Sequence, residues 1–306
     1  MSTAPCISVL LTSFNRERYI AAAIESVLAQ SMADFELIIS DDRSTDGTVD
    51  IINDFARRDS RIRVALNERN LGDYANRRRV AELARGRFLK YHDSDDVMYR
   101  HCLMTMVEPL DAEPRAAFAL SSAVGWPGGP CPMLLTPRLA YEREFLGYGL
   151  FNQGPASALF RTEAFRSLGG FPEVAYAGDY LFWLHACATV NVLLVPGDLF
   201  YYRRHAGQEL ANPASVAAYA RAAAEAWRIL NSGECPLTPE EAEIGKRNFV
   251  FSQARGIYRH IKRGRYRAAA DTFRLVGLAP GDWLAYLRPP RRNFTAGTPL
   301  DNRGIA

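Results

Sequence analysis

A chain of 306 residues, 48% hydrophobic and 23% charged, has the composition of an ordinary globular protein and the length for one large domain or a domain with an appendage. Its net charge of +3 is too small to argue for nucleic acid, and no apolar run approaches the roughly 18 residues of a membrane span. Five cysteines, odd in number, scattered and never in a C-x-x-C pair, speak against a disulfide framework and a structural zinc site. The N-terminal residues carry no basic n-region, so the expected location is the cytoplasm.

Cys6 to Thr12 is an apolar run rich in β-branched residues, the pattern of a buried strand. Ser13-Phe14-Asn15 follows as a turn. From Arg16 to Gln30 the apolar residues Tyr19, Ile20, Ala23, Ile24, Val27 and Leu28 recur at helical spacing. Phe35 to Ser40 reads as a second strand, running into Asp41-Asp42-Arg43-Ser44-Thr45-Asp46. A helix through Ile51, Ile52 and Phe55 leads to a third strand, Arg61 to Leu66. Asn70-Leu71-Gly72 is a turn suited to positive φ. A helix from Asp73 to Ala84 stops at Gly86, and Phe88 to Tyr91 is a fourth strand.

This β-α-β-α-β-α-β order has connections too long for hairpins. It predicts an α/β protein with parallel strands, crossover helices and helices on both faces of the sheet. Ligands in such sheets bind beyond the carboxyl ends of the strands. Thr12 to Asn15, Asp41 to Asp46 and Asp93 to Asp96 each follow a strand, so three polar loops converge on one rim. Neither G-x-G-x-x-G nor a Walker A sequence occurs.

Asp93-Ser94-Asp95-Asp96 packs three carboxylates into four residues. Such carboxylates repel one another and need a cation or full solvation. Oxygen ligands suit Mg²⁺ or Mn²⁺, which share their remaining positions with water and phosphate. A solvated turn capping the next helix is the alternative.

Further along, a helix is expected from Met98 to Leu110 and a strand from Ala116 to Ser121. Gly125 to Pro137 is a Gly- and Pro-rich loop. A turn at Gly154-Pro155-Ala156-Ser157 enters an apolar segment. A short helix starts at Thr162 and breaks at Gly169-Gly170, and another starts at Gly178-Asp179. Strands are expected at 191–195 and 199–203. From about Asn212 Ala-rich helical patterns run over 214–230 and 240–278. Between Lys246 and Arg292 twelve Lys or Arg face two Asp, a net of +10. These are solvated helix faces, or a tail that lies on an anionic membrane with Trp283, Tyr286 and Leu287 as interfacial residues. The expected division is a unit over 1–210 and a basic helical extension over 211–306.

Six motifs occur in a single order: Ile7 to Arg16, Phe35 to Thr48, Asn67 to Gly72, Asp93 to Asp96, Gly169-Gly170-Phe171, and Tyr202 to His205. In this combination the sequence resembles the family 2 inverting glycosyltransferases over roughly residues 5 to 210. The resemblance implies a GT-A type (Rossmann-like), mostly parallel central sheet flanked by helices, with a C-terminal helical extension outside it. By position Thr12, Phe14 and Asn15 are similar to residues that hold the nucleotide base. Asp42, with Asp41 beside it, resembles the carboxylate that accepts the imide N–H of uracil or thymine, as an acceptor-only group can. Helix capping before Thr48 is the other role open to these two. Asp93 and Asp95 resemble a D-x-D pair, with Asp95 on the metal and Asp93 on the ribose or the metal shell. Arg203 and His205 resemble the segment that closes over the diphosphate, Arg203 neutralising the leaving group and His205 serving the metal or the phosphate.

Asp179 stands where the family keeps its catalytic base, although Gly178 replaces the usual preceding Glu. A dipole-favoured residue at a helix start is its alternative role. The resemblance thus implies transfer of a sugar from a UDP- or dTDP-linked donor to a hydroxyl of a glycan or lipid-linked acceptor, with Mg²⁺ or Mn²⁺, no nucleic acid, and a cytoplasmic or peripheral membrane location. Tyr148, Phe151 and Trp183 are candidates to stack on a sugar. The alternatives are a non-catalytic nucleotide-sugar binder and a sugar nucleotidyltransferase. The latter lacks its Gly- and Lys/Arg-rich loop after the first strand.

Overall fold

Strands β1 (Ile7–Ser13) and β2 (Phe35–Asp41) are buried along their whole length. Only a sheet covered on both faces buries every residue of a strand, which is why these segments read as mostly apolar. The structure, a computed structural model, describes residues 4–122, 131–147, 149–205, 208 and 212–286.

The further strands are β3 (Ile62–Leu66), β4 (Phe88–Asp93), β5 (Val97–Met98), β6 (Ala116–Ser122), β7 (Met133–Leu135), β8 (Ala158–Arg161), β9 (Asn191–Pro196) and β10 (Phe200–Tyr201). The main sheet has the order β3-β2-β1-β4-β8-β6-β9-β7. Its first four strands are parallel. They are joined by α1 (Ile20–Leu28), α2 (Thr48–Arg58) and α3 (Asp73–Glu82). β8 then runs antiparallel between β4 and β6, β9 is parallel to β6, and β7 is an antiparallel edge. The mostly parallel α/β sheet expected from the sequence is the one observed.

Alternation along the strands sorts the core into two layers. Val9, Leu11, Leu37 and Ile39 pack on one face with Ile24 of α1 and with Leu103 and Met106 of α4 (Cys102–Ala112). Leu10, Ile38 and Tyr91 face the other way, toward Phe118, Phe160 and Trp183. The second layer also holds Ala226 and Leu230 of α8 (Ala214–Leu230) and Val250 of α9 (Pro239–Lys262), so the C-terminal helices share the core of the sheet. Asn248 of α9 donates to the Phe145 carbonyl of α5 (Pro137–Phe145) at 3.0 Å.

Four boundaries differ from the sequence reading, each for a physical reason. The first helix begins at Ile20, because the Arg16 and Glu17 amides donate to Thr48 Oγ1 (2.7 Å) and Asp46 Oδ2 (3.2 Å) instead of entering a helix. The helix expected after Met98 starts at Cys102, since Val97 and Met98 pair with β10. Within 125–137, residues 125–130 lie outside the described residues, whereas Met133 to Leu135 pair with β9. The single pattern over 240–278 is α9 followed by α10 (Tyr266–Leu275), with α11 (Pro280–Tyr286) beyond it. Gly264 (φ 70°) and Gly277 (φ 76°) adopt the left-handed conformation that ends helices.

Candidate active site

The carboxyl ends of β1, β2 and β4 open into a cavity of about 1000 Å³. Thr12, Phe14, Asn15, Asp42, Asp93, Asp95 and Asp179 all line it, joined by Gly154 and Pro155 from the turn before β8. Residues far apart in sequence meet here because parallel strands deliver all their following loops to one edge of the sheet.

The two aspartates after β2 have separate fates. Asp41 is buried, and its carboxylate accepts Ser13 Oγ (2.8 Å), Ser44 N (2.8 Å) and Ser44 Oγ (2.6 Å). It ties β1 to the loop after β2 and is not among the residues that line the cavity, whereas Asp42 is. Asp42 faces the cavity while accepting Asn67 Nδ2 (2.8 Å), Leu71 N (2.8 Å) and Gly72 N (2.9 Å). Gly72 meets it at φ 88°, the conformation that the Asn70-Leu71-Gly72 turn requires. A carboxylate offers about four lone-pair sites, so three protein donors leave one for a ligand. Asn15, at φ 51°, accepts the Thr45 amide at 2.8 Å and so fixes the β1 loop against the β2 loop.

The acidic turn after β4 is held from two sides. Arg77 of α3 donates to Asp93 Oδ1 at 2.7 Å and to both oxygens of Asp73. Burial pushes the Asp93 carboxyl up, but Arg77 outweighs it and holds the group below the ordinary carboxylate range. The small β5–β10 ladder brings residues 200–205 across the turn. Arg203 N then donates to Asp96 Oδ1 (2.9 Å), and His205 Nε2 lies 2.9 Å from Asp95 Oδ2. Arg16 Nε is 3.3 Å from the same oxygen. Tyr19 packs under this segment, its ring 4.7 Å from the His205 ring and 4.9 Å from Arg203 Cζ.

Among the described residues no three His, Cys, Asp or Glu side chains converge as a ready metal centre. The pair Asp95–His205 is a carboxylate–imidazole donor set, which fits an ion whose other positions come from phosphate oxygens and water. Among the described residues, Asp96 Oδ2 is buried without a hydrogen-bond partner. Burial first, then the charge of Asp93, raises the Asp96 carboxyl to about 7.

Asp179 enters the cavity from the start of α7 (Gly178–Ala186). Its carboxylate accepts the Tyr180 amide at 2.7 Å, and its own amide donates to Tyr74 Oη at 2.9 Å. Burial raises its carboxyl to about 6, against the lowering pull of Tyr180, Tyr74 and Arg77. The glycine before it has a steric cause. A Cβ at Gly178 would stand 2.7 Å from the Pro172 carbonyl and 2.7 Å from the Tyr74 ring. Tyr74 thus fills the space that a side chain at position 178 would need, and its hydroxyl accepts the Asp179 amide.

Arg77, Tyr74 and Tyr19 escaped the sequence reading. Tyr74, Arg77 and Ala81 are buried at helical spacing on α3, a signal present in the sequence. The stacking candidates fare differently. Trp183 is fully buried and its Nε1 donates to the Gln153 carbonyl at 2.7 Å, whereas Phe151, with little exposed surface, lines the cavity. Tyr148 lies outside the described residues.

A sheet of this order, with carboxylate loops at the ends of its parallel strands and a later segment folded over them, is a GT-A type fold. Residues 8–169, more than half of the chain, match Glycosyl transferase family 2, and the chain belongs to that family. It is similar to the UDP-Glc:alpha-D-GlcNAc-diphosphoundecaprenol beta-1,3-glucosyltransferase WfgD of Escherichia coli, 40% identical over 91 residues, 30% of this chain and 35% of that protein. It is also similar to the GalNAc(5)-diNAcBac-PP-undecaprenol beta-1,3-glucosyltransferase of Campylobacter jejuni, 32% identical over 105 residues, 34% of each. The match spans about a third of the length of these curated relatives. Among solved structures, the mannosyltransferase PcManGT from Pyrobaculum calidifontis, in complex with GDP-Man and Mn²⁺, superposes with a TM-score of 0.61 at 18% identity, covering 93% of this chain and 79% of that one. TarS 1–349 of S. aureus, in complex with UDP-GlcNAc, gives 0.58 at 20% identity, covering 88% and 91%. At these identities the likeness is one of fold.

Proposed function

We propose that the chain is an inverting glycosyltransferase that moves a sugar from a UDP- or dTDP-linked donor to a hydroxyl of a glycan or lipid-linked acceptor, in surface polysaccharide or glycoconjugate synthesis. The observation that carries this reading is Asp179, a half-buried carboxylate raised to about 6, in one cavity with Asp42 and the Asp95–His205 pair. Asp179 takes the proton of the acceptor hydroxyl as that oxygen attacks the anomeric carbon. The nucleoside diphosphate leaves from the opposite face, so the configuration inverts. Asp42 accepts the imide N–H of the base, Thr12, Phe14 and Asn15 wall the base and ribose, and Asp93, fixed by Arg77, meets the ribose or the metal shell. Arg203 neutralises the departing diphosphate. Asp95 and His205 would hold Mg²⁺ or Mn²⁺, which supplies positive charge for the leaving group. The Tyr74 ring beside Gly178 gives the missing Glu a steric reason, which supports the enzyme reading over a non-catalytic binder.

Asp42→Ala should weaken UMP and UDP alike, because both carry the base. Asp95→Ala should remove the Mn²⁺-dependent part of UDP binding and leave UMP affinity within about twofold. Calorimetry with both ligands, with and without Mn²⁺, tests the division. Equal loss of both ligands in both variants would reject it.

We also propose a catalytic unit over 1–210 and a helical extension over 211–306 that docks on an anionic membrane surface from the cytoplasm. No helix among the described residues is long and apolar enough to cross a membrane. Trp283 is buried against Phe273, Tyr286 Oη donates to Glu243, and Leu287 lies outside the described residues, so the interfacial residues expected from the sequence are not the exposed ones. Tyr258, Ile261, Tyr266 and Leu284 are exposed instead, the first three close in sequence to exposed Lys262, Arg263 and Arg267. Each basic residue near an anionic surface contributes about 1 kcal/mol. Replacing these three by glutamine should therefore weaken flotation with phosphatidylglycerol vesicles on the order of a hundredfold. Flotation equal to that of the parent protein, or insensitive to salt, would reject the docking.

A further inference from the structure

The active-site cavity continues past the catalytic carboxylate. Asn152, Tyr180 and Tyr219 line both it and a second cavity of about 1130 Å³, walled by the end of α5 and by α8, α9 and α10. Tyr180 is the residue next to Asp179, so the two spaces meet beside the proposed base. On α9 the wall runs from Glu243 to His260. At 1.5 Å per residue that is about 25 Å, several times the length of one sugar.

The wall is shaped and charged for an occupant. Gly256 sits inside the C-terminal third of α9, on the cavity, and a Cβ there would meet nothing within 4 Å. Glycine weakens a helix interior, and here no close packing asks for it, so what it provides is room. The acids of the wall are already engaged. Glu144 Oε2 accepts the Leu150 and Phe151 amides, and Glu243 is held by Lys246 Nζ (2.7 Å) and Tyr286 Oη (2.9 Å). Arg247 and Arg259 line the same cavity, are exposed, and form no ion pair among the described residues.

Resting on the reading of Asp179 as the base, we infer that the second cavity is the acceptor subsite, where Arg247 and Arg259, about 18 Å apart along α9 and so not sharing one phosphate, line the groove with positive charge that binds a phosphate or diphosphate on the acceptor while its sugar passes Tyr180 and Tyr219 to reach Asp179. Guanidinium groups bind phosphate oxygens through charge-assisted, often paired hydrogen bonds. The length of the groove sets that anchor apart from the reacting hydroxyl, so the subsite selects acceptors that carry the anion at some distance from the hydroxyl.

Three probes test this on the full chain saturated with UDP and Mn²⁺: N-acetylglucosamine linked to octyl diphosphate, uncharged octyl N-acetylglucosaminide, and phosphatidylglycerol vesicles. Calorimetry should show the diphosphate probe binding at least about tenfold more tightly than the uncharged one. The Arg247→Gln/Arg259→Gln pair should erase that advantage and leave UDP affinity unchanged. Gly256→Trp, placed where the helix has space, should block the diphosphate probe, again without effect on UDP. Equal affinity of the parent protein for charged and uncharged probes, or a diphosphate probe that ignores both variants, would overturn the subsite while UDP binding keeps the glycosyltransferase reading. Vesicle binding that falls in the arginine pair while the soluble probe is unaffected would assign the two arginines to a bilayer and overturn it as well. Failure of the parent protein to bind UDP would remove the reading on which the subsite rests.

Discussion

Arg77→Met should cost about 3–5 kcal/mol of stability, the range for removing one partner of a buried ion pair. Arg77 is buried, and its guanidinium bridges Asp73 (2.9 Å) and Asp93 (2.7 Å). Its backbone carbonyl accepts Tyr91 Oη at 2.9 Å, which a substitution leaves intact. Methionine replaces the stem with little loss of packing, so the effect isolates the charge. Without Arg77, Asp93 faces burial uncompensated, and its carboxyl moves from below the ordinary range to above it. The sign of the pH dependence follows. In the parent protein the depressed Asp93 contributes stability that is present at neutral pH and lost as pH falls through its folded pKa. In the variant the raised Asp93 is best tolerated when protonated, so the penalty shrinks as the medium becomes acidic. Urea denaturation of both proteins at neutral pH and near pH 5 gives the comparison. A loss below about 1 kcal/mol, the scale of an exposed pair, would show that Asp93 does not depend on Arg77. A loss equal at both pH values would show that the defect is packing.

The parts of the site that the sequence reveals are those that local chemistry dictates. β1, β2 and β4 are buried on both faces and so are mostly apolar, with exceptions that include Glu36, Lys90 and His92, and the polar residues after each lie at one rim. Asp42, Asp93, Asp95 and Asp179 were legible for that reason or from the order of the motifs. Arg77 was harder, because it sits in the run Arg77-Arg78-Arg79, in which only the first is buried. Its burial follows the spacing from Tyr74 to Ala81, and a charge on the inner face of a helix calls for a buried acid as partner. Asp41 and Asp42 look equivalent in the sequence, whereas neighbouring residues at a strand end point to opposite sides, and only Asp42 lines the cavity. His205 meets Asp95 across 110 positions through a two-residue ladder, too short to announce itself as a pairing. Gly178 looked like a loss, and only the Tyr74 ring beside it shows that the glycine and the tyrosine are one arrangement.

The largest effect is expected at Asp179. Asp179→Asn keeps the size of the side chain and can still accept the Tyr180 amide, but it cannot take a proton. A general base contributes about 10² to 10⁴-fold, and sugar transfer should fall by that order. UDP affinity with Mn²⁺ should stay within about twofold, because the donor is held by Asp42, Asp95 and their neighbours. The base works when ionised, so the parent rate should decline as pH drops below about 6, where burial places the Asp179 carboxyl, and this acidic limb should vanish in the variant. Stability should move the other way from activity. A carboxyl raised in the folded state contributes stability below its unfolded pKa and loses it as pH rises through the folded value. At neutral pH the ionised, partly desolvated Asp179 is therefore a burden to the fold, and the uncharged asparagine should melt no lower than the parent protein. That pairing of a large loss in rate with no loss in stability separates a base from a residue that only starts a helix. Near-normal transfer by the variant would place the base elsewhere, and abolished UDP binding would assign Asp179 to the donor or the metal. The anomeric configuration of the product, read by NMR, tests the same step independently, because one displacement assisted by one base inverts. A retained configuration would overturn the mechanism even with the expected fall in rate.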